Sequence, residues 1–260
     1  MTVLTSDIII IALAGFFSGI IKTGVGVGAG IFLLPTLALA FPAKVALGLG
    51  APMMLVSDVI GLRYYWKQWL PRVELGRLFL AALPGLVLGV VLLPLIPGRT
   101  FRVCVGLFGA CYALSLLWPG FPPAVALKRL VSGLNARCAG GETDRKLGAY
   151  AYGFLGGLST VLAHAGGLVW SLYLITAARD RRVFVGTTII LFFITNICKT
   201  ISYIYIDILS IESLLRVLTA VPVILLGSYF GNIINKKCNH ALFRKIVLCF
   251  IFLTSVSLCV

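Results

Sequence analysis

The chain has 260 residues, 60% of them hydrophobic and 12% charged, with a formal net charge of +14 and a mean hydropathy of +1.07. This composition excludes a soluble globular domain and predicts an all-α polytopic membrane protein, because apolar runs near the roughly 20 residues that cross a bilayer recur along its length. The basic excess does not indicate a nucleic-acid binder: most basic residues stand between apolar segments, as membrane proteins place them, and no basic folded domain is evident.

In chain order, apolar segments fall at 7–21, 31–41, 43–66, 75–96 and 100–118. Met1–Asp7 carries no basic residue, and no small-residue cleavage site follows the first apolar run, so a cleaved signal peptide is not expected. A polar stretch at 119–146, with Lys128, Arg129, Arg137, Arg145 and Lys146, reads as a basic cytoplasmic linker. Apolar segments resume at 147–162, 167–178, 183–206, 211–235 and 241–260. Seven cysteines (Cys104, Cys111, Cys138, Cys198, Cys238, Cys249, Cys259) show no CxxC and no Cys/His metal spacing, and read as small apolar residues of membrane helices.

The halves on either side of the linker, 1–118 and 147–260, repeat one another. "GFFSGIIKTGVGVGAGIFLLPTLAL" opens the first at Gly15, and "GFLGGLSTVLAHAGGLVWSLYLI" opens the second at Gly153. Each starts with Gly-Phe, breaks at a small-residue cluster and resumes with a short apolar run. A helix start follows in each, "FPAKVALGLG" and "RDRRVFVGTT", and Pro42 suits a first helical turn. Three long segments complete each half.

Loop charge gives the halves opposite orientations. The loop 63–77 carries four basic residues against Glu74, a net +3, whereas its counterpart 206–216 carries Arg216 against Asp207 and Glu212, a net −1. The positive-inside rule puts the first in the cytoplasm and the second outside. The linker and the loop 235–245 also fall inside, the short loop with Arg99 and Arg102 dissents, and both termini come out extracytoplasmic. The expected fold is therefore two inverted repeats, each a re-entrant or broken helical hairpin plus three transmembrane helices. Residues 31–41 make a helix of only about 16 Å, half a bilayer core, which favours re-entry.

The broken hairpins are the candidate functional elements. Gly24, Gly26, Gly28 and Gly30 stand in seven residues, and glycine in mid-helix costs about 1 kcal/mol relative to alanine. Irregular backbone at membrane depth persists only if buried in protein or lining a water-filled cavity. Close helix packing accounts for Gly15, Gly19, Gly85 and Gly89. Paired interrupted segments in two inverted halves point instead to a transporter site. A half-helix begins near Gly30 and another near Gly167, and their N-terminal N–H groups suit an anion.

Charged and polar residues at membrane depth agree with an anion site. Lys22 and Thr23 stand at the first break, and His164, Gly166 and Gly167 at the second; Lys199 lies inside the apolar run "ILFFITNICKTISYIYI". Such residues are costly in a membrane and usually functional. The competing readings are snorkelling for Lys22 and Lys199 and a satisfied buried side chain for His164. Asp58 is the one carboxylate at membrane depth, and both pairing with a lysine and proton coupling are open to it. Aligning "ALGLGAPMMLVSDVIG" with "FVGTTIILFFITNICK" sets Ser57 and Asp58 opposite Thr195 and Asn196, with both pairs expected to face the centre. An intramembrane enzyme is not expected, because no catalytic dyad or metal cluster is evident, and no cofactor is implied.

The ordered set "GFFSG…GVGVGAGIFLLPTLAL…FPAKVALG", repeated as "GFLGGL…AGGLVWSLYL…VGTTIILFFITN", resembles the TauE/SafE sulfite exporter family of bacterial membrane proteins over nearly the whole chain. The second break departs from the family's pattern in having fewer glycines. The resemblance implies export or uptake of small sulfur-containing or carboxylate anions, such as sulfite, sulfonates and sulfoacetate, across the cytoplasmic membrane. Together with the paired breaks it leads us to expect a secondary transporter of sulfite, an organosulfonate or a sulfoacetate-like anion, exporting by alternating access. An anion channel and a carrier of small carboxylates are the alternatives. Membrane lipid is an expected partner; the coupling ion, proton or sodium, and a homodimer are left open. In the expected site, N–H groups near Gly28–Ile31 and Gly166–Leu168 hold the anion, Lys22 or Lys199 adds charge, and the Ser57 and Thr195 hydroxyls donate hydrogen bonds.

Overall fold

The computed structural model describes residues 2–25, 28–118, 120, 142–178, 180–237 and 240–259. Of the expected elements, the linker lies outside the described residues apart from Gly120 and 142–146, as do Gly26, Cys138 and Cys238.

Ten α-helices and no strand are found among the described residues. The first half contains α1 (Thr2–Val25), α2 (Ala29–Ala38), α3 (Ala43–Tyr64), α4 (Arg72–Leu95) and α5 (Gly98–Leu117). The second contains α6 (Glu142–Ala163), α7 (Gly166–Ala177), α8 (Arg181–Tyr205), α9 (Ile211–Lys237) and α10 (His240–Cys259). Helix starts follow local chemistry. Pro42, Pro71 and Pro97 precede α3, α4 and α5 in extended conformation, since proline favours a helix start and cannot continue one. Asp180 caps α8, its carboxylate accepting from the Arg182 N–H at 3.2 Å.

Five described helical segments are long and apolar enough to cross a membrane: Ala43–Tyr64, Arg72–Leu95, Gly98–Leu117, Arg182–Tyr205 and Ile211–Gly231. The breaks fall where the glycines and the His-Ala-Gly-Gly cluster stand, but the arms of each hairpin are unequal. The entering helices have 24 and 22 residues, the returning ones 10 and 12. The returning helices thus reach about 15 and 18 Å, half a hydrocarbon core. The entering helices outrun the apolar segments 7–21 and 147–162 because flanking polar residues continue the helix: Lys22 and Thr23 at the end of α1, and "ETDRK" at the start of α6.

Counterpart helices pack in exchanged pairs. α1 lies mainly against α9 and α6 against α4, while α3 lies against α8 and α5 against α10. Glycines let the exchanged pairs approach: Gly15 and Gly19 of α1 abut Ile224 and Ser228 of α9, and Gly85 and Gly89 of α4 abut Phe154 and Val161 of α6. The half-length α2 is enclosed, with nine of its ten residues buried, so its irregular start never meets lipid. Leu80, Val87, Leu95, Leu107, Leu215 and Leu226 are exposed on the outer helices, as a lipid-facing surface requires.

Candidate functional site: two opposed helix breaks

Among the described residues, each break passes one through the left-handed region. In the first it is Gly28, φ +99°, which precedes α2; glycine takes this conformation without the penalty of a Cβ. In the second it is His164, φ +51°, and histidine is among the few other residues enriched there. Phe32 donates to the Gly28 carbonyl at 3.0 Å, and Leu168 to the Ala165 carbonyl at 3.0 Å. The N–H groups before them, of Ala29 to Ile31 and of Gly166 and Gly167, belong to the first turns, where no carbonyl of the same helix is in reach.

The two breaks touch. A Cβ on Gly30 would lie 2.5 Å from the His164 carbonyl oxygen and 2.6 Å from its Cβ, and a Cβ on Gly50 of α3 would lie 2.5 Å from His164 Nε2. Glycine is needed at both positions to admit the second break. Between them lies a cavity lined by Gly28, Gly30 and Ile31 on one side, His164, Gly167 and Leu168 on the other, and Lys22. It leaves the centre of a water molecule about 10 Å³ to occupy, close to the minimum for one water.

Lys22 turns into the protein and is 7% exposed. Its Nζ lies 2.6 Å from Asp58 Oδ1, donates to the Met54 carbonyl at 3.0 Å, and sits 5.3 Å from the centroid of the Phe192 ring. Snorkelling to the membrane surface is thereby ruled out, and Asp58 is paired with a lysine as one of its two readings required. The second Asp58 oxygen, Oδ2, accepts from Asn196 Nδ2 at 2.7 Å. Lys199 is fully buried behind the second break; its Nζ approaches His164 Nδ1 at 2.9 Å and Thr160 Oγ1 at 3.1 Å. His164 Nε2 is 3.0 Å from the Leu47 carbonyl. A carbonyl only accepts, so Nε2 carries the ring proton and donates, and Nδ1 accepts a hydrogen bond from Lys199 Nζ.

The sequence candidates therefore divide. Lys22, Gly28, Gly30, His164 and Gly167 line the cavity. Asp58 and Asn196 stand behind Lys22, and Lys199 behind His164. Gly24 lies in the last turn of α1, and Gly166 opens α7. Thr23 is directed elsewhere, its hydroxyl donating to the Gly19 carbonyl at 2.9 Å and the Ser228 carbonyl at 2.8 Å. Ser57 and Thr195 are buried but do not reach the cavity, and their hydroxyls bond the carbonyls of Met53 and Leu191 in their own helices at 3.5 and 2.8 Å. Adjacent helical residues point about 100° apart, so Ser57 and Asp58 could not both face one point.

Sequence reasoning missed Thr160, Phe192 and the carbonyls of Leu47 and Met54. Two of these had a signal. Thr160 is one turn before His164, and Phe192 and Asn196 are one turn apart on α8, so each shares a helix face with a residue already singled out. Backbone acceptors leave no trace in side-chain identity.

The fold and this site define the class: a multi-pass helical membrane protein with charged groups buried around two opposed helix breaks. The family model described as Sulfite exporter TauE/SafE matches residues 11–258, and the chain belongs to that family of membrane transporters. No curated protein and no solved structure gives a significant match.

Proposed function

We propose that the protein is a secondary transporter of a small sulfur oxyanion, sulfite or an organosulfonate, working by alternating access in a bacterial cytoplasmic membrane, with export as its physiological direction. The observation that carries this reading is the cavity between two half-helix N-termini with the Lys22 ammonium on its wall. First-turn N–H groups, the positive ends of two helix dipoles and a cation all favour an anion. Thr23, Ser57 and Thr195 are not assigned to the anion.

The carrier reading is preferred to a channel. The cavity holds about one water, far less than a sulfur oxyanion needs, so the breaks must part for the anion to enter. Inverted halves, 1–118 and 147–260, supply two elements that can rock against each other. Exchanged packing of counterpart helices supports this organisation. So do the matched left-handed residues: Gly28 and His164 at the breaks, and Lys67 (φ +61°) and Asp207 (φ +56°) in the loops after α3 and α8. Loop charge supports a cytoplasmic side for 63–77 and the linker and an outer side for 206–216.

The test is counterflow in proteoliposomes preloaded with unlabelled sulfite or isethionate. The reading expects transient accumulation of labelled anion that saturates with concentration. Flux that never saturates would favour a channel, and sulfonate flux equal to that of empty vesicles would remove the substrate class.

A further inference from the structure

Lys199 is the second buried cation of the centre, and its surroundings differ from those of Lys22. Its Nζ has three acceptors in reach: His164 Nδ1 at 2.9 Å, Thr160 Oγ1 at 3.1 Å and the Thr160 carbonyl at 3.3 Å. An ammonium would satisfy all three with its three N–H bonds, whereas the neutral amine, with two, satisfies two of them, so the shell is shaped to receive one more proton. None of them is a carboxylate. Asp58 is already taken, with one oxygen on Lys22 and the other on Asn196.

His164 connects this group to the cavity. Its ring lines the cavity while Nδ1 meets Lys199 and Nε2 meets the Leu47 carbonyl. The charged groups that act on Lys199 from neighbouring elements are Lys22 of α1 and Asp58 of α3, besides the His164 ring at the break. Tyr203, one turn further along α8, gives its hydroxyl to the Val161 carbonyl at 2.6 Å and stands outside the relay.

An ammonium buried without a counter-charge is costly, and an anion in the cavity supplies that counter-charge. We infer that the Lys199–His164 pair is a proton site coupled to the anion, taking up one proton as the anion binds and releasing it as the anion leaves. This rests on the anion-transport reading above. With the cavity empty the pair is neutral. On binding, a proton from the water on the open side adds to the Lys199 Nζ lone pair and forms an N–H bond, and the ammonium offsets the charge of a monoanion. After the site opens to the other side, the anion departs, that N–H bond breaks and the proton returns to water. Export then runs down the anion's own gradient and carries acid out with it.

The test is binding of methanesulfonate, which remains a monoanion throughout, to the purified full chain by calorimetry across a pH series. Two buffers of different ionisation enthalpy count the protons exchanged. The inference expects uptake of about one proton per anion, and a Kd that rises about tenfold per pH unit on the alkaline side. In Lys199→Arg the charge is permanent, so proton uptake vanishes and the pH dependence flattens. In Lys199→Met both also vanish, with weaker binding at every pH. Wild-type binding without proton uptake overturns the inference and leaves the anion reading standing, and this arm needs no variant to fold. Proton uptake that survives in both variants places the proton elsewhere and overturns it too. If neither methanesulfonate nor sulfite binds at any pH, the anion reading itself fails and the coupling falls with it.

Discussion

Asp58 and Asn196 meet across the centre of the molecule, the Asn196 amide donating to the carboxylate at 2.7 Å. Each stands sixteen residues after the residue that caps its helix, Pro42 for α3 and Asp180 for α8. On the proposed inverted-repeat reading these are equivalent positions of two copies, and such positions touch when they lie near the axis relating the copies, as at an isologous interface. The acid in one half and the amide in the other turn a symmetric contact into a polar one. That asymmetry leaves Asp58 free to hold Lys22.

Removing the acid should therefore destabilise the fold through Lys22. Asp58→Ala leaves the Lys22 ammonium buried with only the Met54 carbonyl and the Phe192 ring beside it, and breaking a buried pair in this way costs about 3–5 kcal/mol. The double variant Lys22→Met/Asp58→Leu should regain most of that. Thermal unfolding in detergent reads both. A single variant as stable as wild type would mean that the pair is not closed in the ground state.

Lys22 should also govern affinity. In Lys22→Gln/Asp58→Asn the cation is lost without leaving an acid exposed to the anion. A hydrogen bond to a charged group is worth about 1.5–3 kcal/mol, so Kd for sulfite should rise about 10- to 150-fold. Equal Kd values for the double variant and wild type would remove Lys22 from the anion site.

Close contact of the breaks predicts sensitivity to a single methyl. Gly30→Ala would drive a Cβ into His164, and overpacking of this kind costs about 1–3 kcal/mol. Gly76→Ala meets nothing within 4 Å and serves as the control. Melting temperatures compare the two, and equal values would show that the breaks separate readily.

The proposed inversion of the halves predicts opposite sidedness for matched loops. In a cysteine-free background, Lys67→Cys should react with a membrane-impermeant thiol reagent only from the cytoplasm, and Ser210→Cys only from outside. Labelling of both from one side would discard the inversion.

Much of the arrangement was legible from residue types. Gly24 to Gly30 and the His-Ala-Gly-Gly cluster located the two breaks within a residue or two, because repeated glycine is costly in a helix and needs a reason. Asp58 and Asn196 were found opposite one another by aligning two helices. The remainder depended on rotation and distance. Hydropathy could not carry α1 through Lys22 and Thr23 or start α6 at Glu142, since helix propensity and apolarity are separate properties. Ser57 and Thr195 were drawn in by adjacency to the central pair, although a helix turns neighbouring side chains apart. The carbonyls that hold Lys22 and His164 exist on every residue and mark none.

On the proposed anion-transport reading, the Lys22–Asp58 pair also fixes what an incoming anion must displace. For Lys22, the carboxylate is a tethered stand-in that keeps the seat occupied between visits. The resting protein is thus not a bare basic hole through which any passing anion could slip. A visitor must evict the stand-in before it can be held, and one that binds too weakly for that leaves the door shut.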